Sequence, residues 1–217
     1  MLLYAVVPAD ATAPDRDGLS DHRLEIIRSA LAAVIVEECP DDFRATKENS
    51  LAFAEIICSL ATTASLLPIR FPTMLATRSA VLAQLQASET AWHERLTELH
   101  ELSEVVIRAQ WPEPEQERAD ASKISGTSYL LSRAAALQRR DASVAEISEL
   151  VREWTREIKV LPSQQGIRIA CLVANDDILR LKRAVLGWQH AGDQRRVVVS
   201  GPWPPFSFAG DQESVSA

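Results

Sequence analysis

Three sets of residues in this chain have types and spacings that could do chemistry: three cysteines, a histidine pair, and a tryptophan framed by prolines. The cysteines are Cys39, Cys58 and Cys171. A cysteine nucleophile needs a base beside it and a third group to orient that base. Cys58 instead lies beside Ile56, Ile57 and Leu60, and Cys171 falls on the apolar side of an alternating segment. In such places a thiol acts as a small hydrophobe. The odd count and the lack of any C-x-x-C pair argue against a disulfide framework and a zinc knuckle. His93 and His100 are seven positions apart on a predicted helix, about 10.5 Å along its axis. One zinc with bonds of about 2.1 Å cannot reach both. Glu89 and His93 have compatible i, i+4 spacing, but no third ligand and no H-E-x-x-H accompanies them.

Phosphate chemistry is equally poorly equipped. With seven glycines the chain has no G-x-G-x-x-G. Gly187 and Gly192 have P-loop spacing, but Asp193 and Gln194 follow where Lys and Ser/Thr would hold phosphate and magnesium. The glutamates lie on helical faces that alternate with arginine, which reads as solvated i, i+4 pairing. These readings predict no cofactor, no metal and no catalytic residue. The competing class is a small cytoplasmic enzyme with a cysteine or carboxylate site; a third is a generic adaptor.

Of five tryptophans, Trp92, Trp154 and Trp188 fall on helical apolar seams and Trp111 on an apolar strand face. Trp203 differs. It sits in Gly201-Pro202-Trp203-Pro204-Pro205-Phe206-Ser207-Phe208, a segment that cannot be helical and holds aromatics at low entropic cost. Two readings compete: a strap packed back on its own domain, or a docking surface. The residues favour the strap. In polyproline II geometry Trp203 and Phe206 share a side and are expected to cover the second domain.

The elements that position these residues follow from periodicity. Leu2–Val7, Arg23–Arg28 and Leu31–Glu37 read as strands, and Arg44–Ser65 as a helix with Phe53, Ile56, Ile57 and Leu60 on one stripe. Leu66–Pro72 carries two prolines and reads as extended or edge. A second helix is predicted over Ala76–His100, and Glu104–Trp111 alternates as a half-buried strand, with Val105, Ile107, Ala109 and Trp111 facing inward and Glu104, Arg108 and Gln110 facing solvent. Pro112–Glu117, all proline and acid but for one glutamine, reads as a domain boundary. Beyond it come a helix over Asp120–Arg139, a second helix opened by the capping box Ser143-x-x-Glu146, strands at Glu157–Leu161 and Ile167–Val173, a helix with Ile178, Leu181, Val185 and Trp188 inward, and a strand at Arg196–Ser200. The mixture predicts two α+β domains, residues 1–112 and 113–217.

Composition excludes whole classes. The 217 residues are 47% hydrophobic and 24% charged, enough to fill a core. No apolar run exceeds the seven residues of Ala30–Val36, far short of the roughly 20 residues of a membrane-spanning helix. The opening residues carry no basic region of a secretory signal, so the cytoplasm is the expected compartment. A net charge of -7 argues against nucleic acid and anionic membrane as partners.

The Gly201–Phe208 octapeptide resembles the C-terminal GPWPPYSF signature of the gas vesicle protein GvpL/GvpF family. Leu67-Pro68-Ile69-Arg70-Phe71 resembles the family's LPLRFGT segment, and Gly126-Thr127-Ser128-Tyr129-Leu130-Leu131-Ser132-Arg133 its G-x-x-YL-x-x-[KR] helix, in the same order. Pro72 stands where the family has glycine, and Phe206 where it has tyrosine. The resemblance implies two domains, the N-terminal one ferredoxin-like and the C-terminal one α+β. It implies a non-enzymatic role in gas vesicle assembly or as a minor shell component. The partners it implies are the hydrophobic major shell protein and other accessory proteins. Its candidate interaction residues are Arg70, Phe71, Gly126, Tyr129, Arg133, Trp203 and Phe206. A close backbone neighbour is expected at Gly126.

Overall fold

The first strand, β1 (Leu2–Pro8), is apolar at every position before its proline, and all of those residues are buried. A continuous apolar run is what a strand covered on both faces requires. The computed structural model describes residues 1–40, 42–110, 126–163, 166–189 and 196–210. It divides into two compact units, Met1–Leu102 with Trp203–Ala217, and Ser103–Pro202. The Pro112–Glu117 boundary expected from composition lies outside the described residues. The observed division falls earlier, between Leu102 and Ser103, and groups the C-terminal segment with the first unit.

In the first unit β1, β2 (Glu25–Arg28), β3 (Ala32–Glu37) and β4 (Leu67–Pro68) form a sheet in the order β2-β3-β1-β4. β1 is antiparallel to both β3 and β4, with Val6 opposite Val34 and Leu67. Pro68 is tolerated because β4 is an edge strand. Helix α1 (Lys47–Leu60) starts at Thr46, whose hydroxyl accepts from the Asn49 N–H at 3.1 Å. It lays Phe53, Ile56, Ile57 and Leu60 against Leu2, Tyr4, Val7, Ile26 and Ile35. Helix α2 (Arg78–Glu98), capped by Thr77, packs on the same four strands and buries Val81, Leu85 and Leu96.

The second unit runs β5 (Leu102–Gln110), α3 (Gly126–Val151), β6 (Thr155–Val160), β7 (Ile167–Ala174), α4 (Ile178–Gln189) and β8 (Arg196–Trp203), with sheet order β6-β7-β5-β8. That βαββαβ succession is the ferredoxin-like one. The α+β class therefore holds, but the ferredoxin-like order belongs to the second unit; the first runs β-β-β-α-β-α. Ile147 and Val151 of α3 and Ile178, Leu181 and Val185 of α4 meet Val105, Ile107, Ile169, Cys171 and Val173 of the sheet. Gly166 adopts φ +72°, and a Cβ there would fall on the Ala109 carbonyl oxygen, so the turn before β7 requires glycine.

Two local expectations change. The helix predicted to begin at Ser143 is the second half of α3, which is continuous from Gly126 to Val151. Neither proline nor glycine interrupts Arg139–Val144. Asp and Ser there cost only a few tenths of a kcal/mol each, too little to break the ladder. Glu104, assigned to the solvent face of its strand, is buried.

Candidate functional site

The C-terminal segment is built around one buried aromatic. Strand β8 continues through Gly201 and Pro202 to Trp203, so the polyproline II course expected for this stretch is replaced by strand and then turn. Lys182 of α4 donates to the Gly201 carbonyl at 2.6 Å. Pro204 and Pro205 are buried. The chain then turns, with the Phe206 N–H donating to the Pro204 carbonyl at 2.7 Å and the Phe208 N–H to the Pro205 carbonyl at 3.0 Å. Phe208 is 0% exposed.

Arg95 of α2 fastens this turn. Its Nε and Nη2 donate to the Phe208 carbonyl at 3.0 and 2.8 Å, and its Nη1 donates to Glu98 at 2.8 Å. A planar fork held at three points has little freedom left. Trp203 and Phe206 remain 41% and 39% exposed. The two aromatics singled out in the sequence are therefore presented to solvent by a segment whose anchor, Phe208, was not singled out. The signal for Phe208 was present, since it closes the octapeptide, but burial is a property of the packed unit.

Arg70 and Phe71 follow edge strand β4 in the first unit. Arg70 is exposed. Phe71 ends an aromatic chain: its ring centroid lies 5.1 Å from Phe53 and 6.2 Å from Phe43, and Phe53 stacks on Tyr4 at 4.9 Å. Gly126, Tyr129 and Arg133 lie on α3 in the second unit, so the structure does not place all seven candidates in one unit. Arg133 is exposed; the side-chain surroundings of Gly126 and Tyr129, and with them the expected close neighbour of Gly126, fall outside the described residues.

Sequence reasoning passed over Glu37, the last residue of β3. Its buried carboxylate accepts from the Tyr4 hydroxyl at 2.6 Å and from the N–H groups of Leu19, Ser20 and His22 at 2.9, 2.6 and 3.3 Å. A carboxylate satisfied by backbone amides can be buried without an opposite charge. It pins the loop between β1 and β2. The signal was an acid closing a strand otherwise apolar throughout. Burial and the hydrogen bond to Glu37 push the Tyr4 phenol well above its usual range.

The thiols are poor nucleophiles. Burial raises the pKa of Cys39 and Cys58, and pushes Cys171 up to about 12, opposed by a hydrogen bond involving Thr155 and helped by the nearby Glu104. All three stay protonated at neutral pH, and the thiolate is the reactive form. Among the described residues no three His, Cys, Asp or Glu side chains converge as a metal site. No described helix is long and apolar enough to cross a membrane.

The family model described as gas vesicle synthesis protein GvpL/GvpF matches residues 1–210, a span that includes the C-terminal turn. The chain is 27% identical over 205 residues to gas vesicle protein F of Streptomyces sp. (strain CB03234), covering 84% of this chain and 86% of that protein. Its fold is similar to the crystal structures of GvpF from Microcystis aeruginosa and from Anabaena sp. PCC7120. The TM-scores are 0.76 and 0.79, each at 17% identity over 96% of this chain, and 98% and 95% of those chains are covered. The chain belongs to the GvpL/GvpF family of gas vesicle accessory proteins.

Proposed function

We propose that this protein acts without catalysis in gas vesicle assembly, binding the apolar major shell protein and other accessory proteins through the surface that carries Trp203 and Phe206. The observation that carries this reading is the C-terminal turn: two large aromatics stand exposed on a segment locked by Phe208 and Arg95. Exposed aromatics on a rigid backbone lose little entropy on binding and are the residues most often found at interface hot spots. A shell subunit with an apolar gas-facing side aggregates before assembly unless that side is shielded. A partner with a net charge of -7 would keep the shielded complex dispersed. The protonated thiols support the absence of cysteine chemistry. On this reading the protein works in the cytoplasm and at the vesicle.

The test is a double substitution, Trp203→Ala with Phe206→Ala, in a host that forms vesicles only when this gene is supplied. Vesicle formation and capture of purified shell protein should both be lost while the melting temperature holds. Undiminished capture overturns the reading. Immunoblotting of washed vesicles tells whether the protein stays on the finished shell.

A further inference from the structure

Leu51 and Leu179 are the most exposed large apolar side chains among the described residues, at 59% and 65%. Leu51 lies on α1, in line with the half-buried Ala54 and Cys58. At 100° per residue, the exposed Glu48 and Glu55 form an acidic ridge along one side of that apolar line. Lys47 lies on the other side, where its stem can cover apolar surface. Leu179 lies on α4 with the exposed Leu186 seven residues on. Arg180 and Arg183, both exposed, form a basic ridge beside them. Arg180 also pairs with Asp177 at 2.7 Å. No acidic residue occurs within α4.

The order of the ridges decides how such faces can meet. Seen from outside with the N-terminus down, the charged ridge lies on the same hand of the leucine line in both helices. Parallel packing sets leucine against charge. Antiparallel packing sets Leu51 between Leu179 and Leu186, and Glu48 and Glu55 against Arg183 and Arg180. We infer that α1 of one molecule docks antiparallel on α4 of a second copy. The two faces differ, so the contact is heterologous, with the α1 face of one molecule on the α4 face of another. Helices of 14 and 12 residues cannot bury the roughly 1,600 Å² of a standard interface, so the expected affinity is about micromolar or weaker. The inference does not involve Trp203 or Phe206.

Sedimentation of the full chain tests it. The wild type should sediment faster as its concentration rises over about 10 to 300 µM, and less so at high salt. Leu51→Asp and Leu179→Asp should each lower the association constant by roughly tenfold or more, with unchanged melting temperatures because both sites are exposed. An equal mixture of the two variants should form a heterodimer that grows no further, since each such pair has one intact contact. A wild type that stays monomeric, a variant that self-associates as strongly as the wild type, or a mixture that fails to pair or grows beyond a dimer overturns the inference.

Discussion

The Arg95 guanidinium holds the Phe208 carbonyl with two N–H groups, at 3.0 and 2.8 Å, joining residues 113 positions apart in the chain. The bond ties α2 to the turn that presents Trp203 and Phe206, and so sets how rigid that surface is.

Arg95→Lys keeps the charge but loses the fork. It should destabilise the protein by about 1–2 kcal/mol, about 2–8 °C in Tm for a chain of this size. Amide exchange over residues 203–210 should accelerate more than exchange in β1 or β3. Uniform acceleration would mean that the clamp contributes only to global stability.

Phe208→Ala should cost about 3–5 kcal/mol, the usual range for a fully buried phenylalanine. Trp203→Ala and Phe206→Ala should each cost less than about 1 kcal/mol, as is usual for exposed positions. Chemical denaturation of the three variants checks this. A Trp203→Ala loss as large as that of Phe208→Ala would restore the strap reading of the tryptophan.

Tyr4→Phe removes one neutral donor from the Glu37 carboxylate and should cost about 1–1.5 kcal/mol. Glu37→Leu leaves the Tyr4 hydroxyl and the amides of Ser20 and His22 without their acceptor and should cost more, about 3 kcal/mol. A Cβ at Gly18 would fall on the Glu37 carboxylate, so Gly18→Ala should expose the loop before β2 to protease. Resistance equal to the wild type would mean that the carboxylate shifts without consequence.

Cys171 ionises near 9.0 when unperturbed and near 12 in the fold. Below pH 9 both states keep the proton, and the thiol adds no pH dependence. Between about pH 9 and 12 the unfolded chain releases the proton and the folded chain holds it, so stability falls as pH rises, by at most about 1.4 kcal/mol per unit from this group. Alkylation at neutral pH should be slow at Cys39 and Cys58 and absent at Cys171 until denaturant is added. Rapid labelling of any of the three in the folded protein would reopen cysteine chemistry.

Much of this protein is legible in its sequence because its elements announce themselves locally. The stripe from Phe53 to Leu60 buries one face of α1, and the run from Ile178 to Val185 does the same for α4. Pro68 marks an edge strand. The Gly201–Phe208 octapeptide points to the family. What the sequence left open depends on residues far apart in the chain. The burial of Glu104 and Glu37 could not be read from alternation, because alternation assumes one wet face. Which aromatic anchors the C-terminal turn is decided by Arg95, and the βαββαβ order sits in the second unit because strand pairing is set by long-range register. Local periodicity follows from the geometry of one helix or strand. Anchors, buried carboxylates and sheet order come from packing several at once, where a side chain's environment belongs to its neighbours in space.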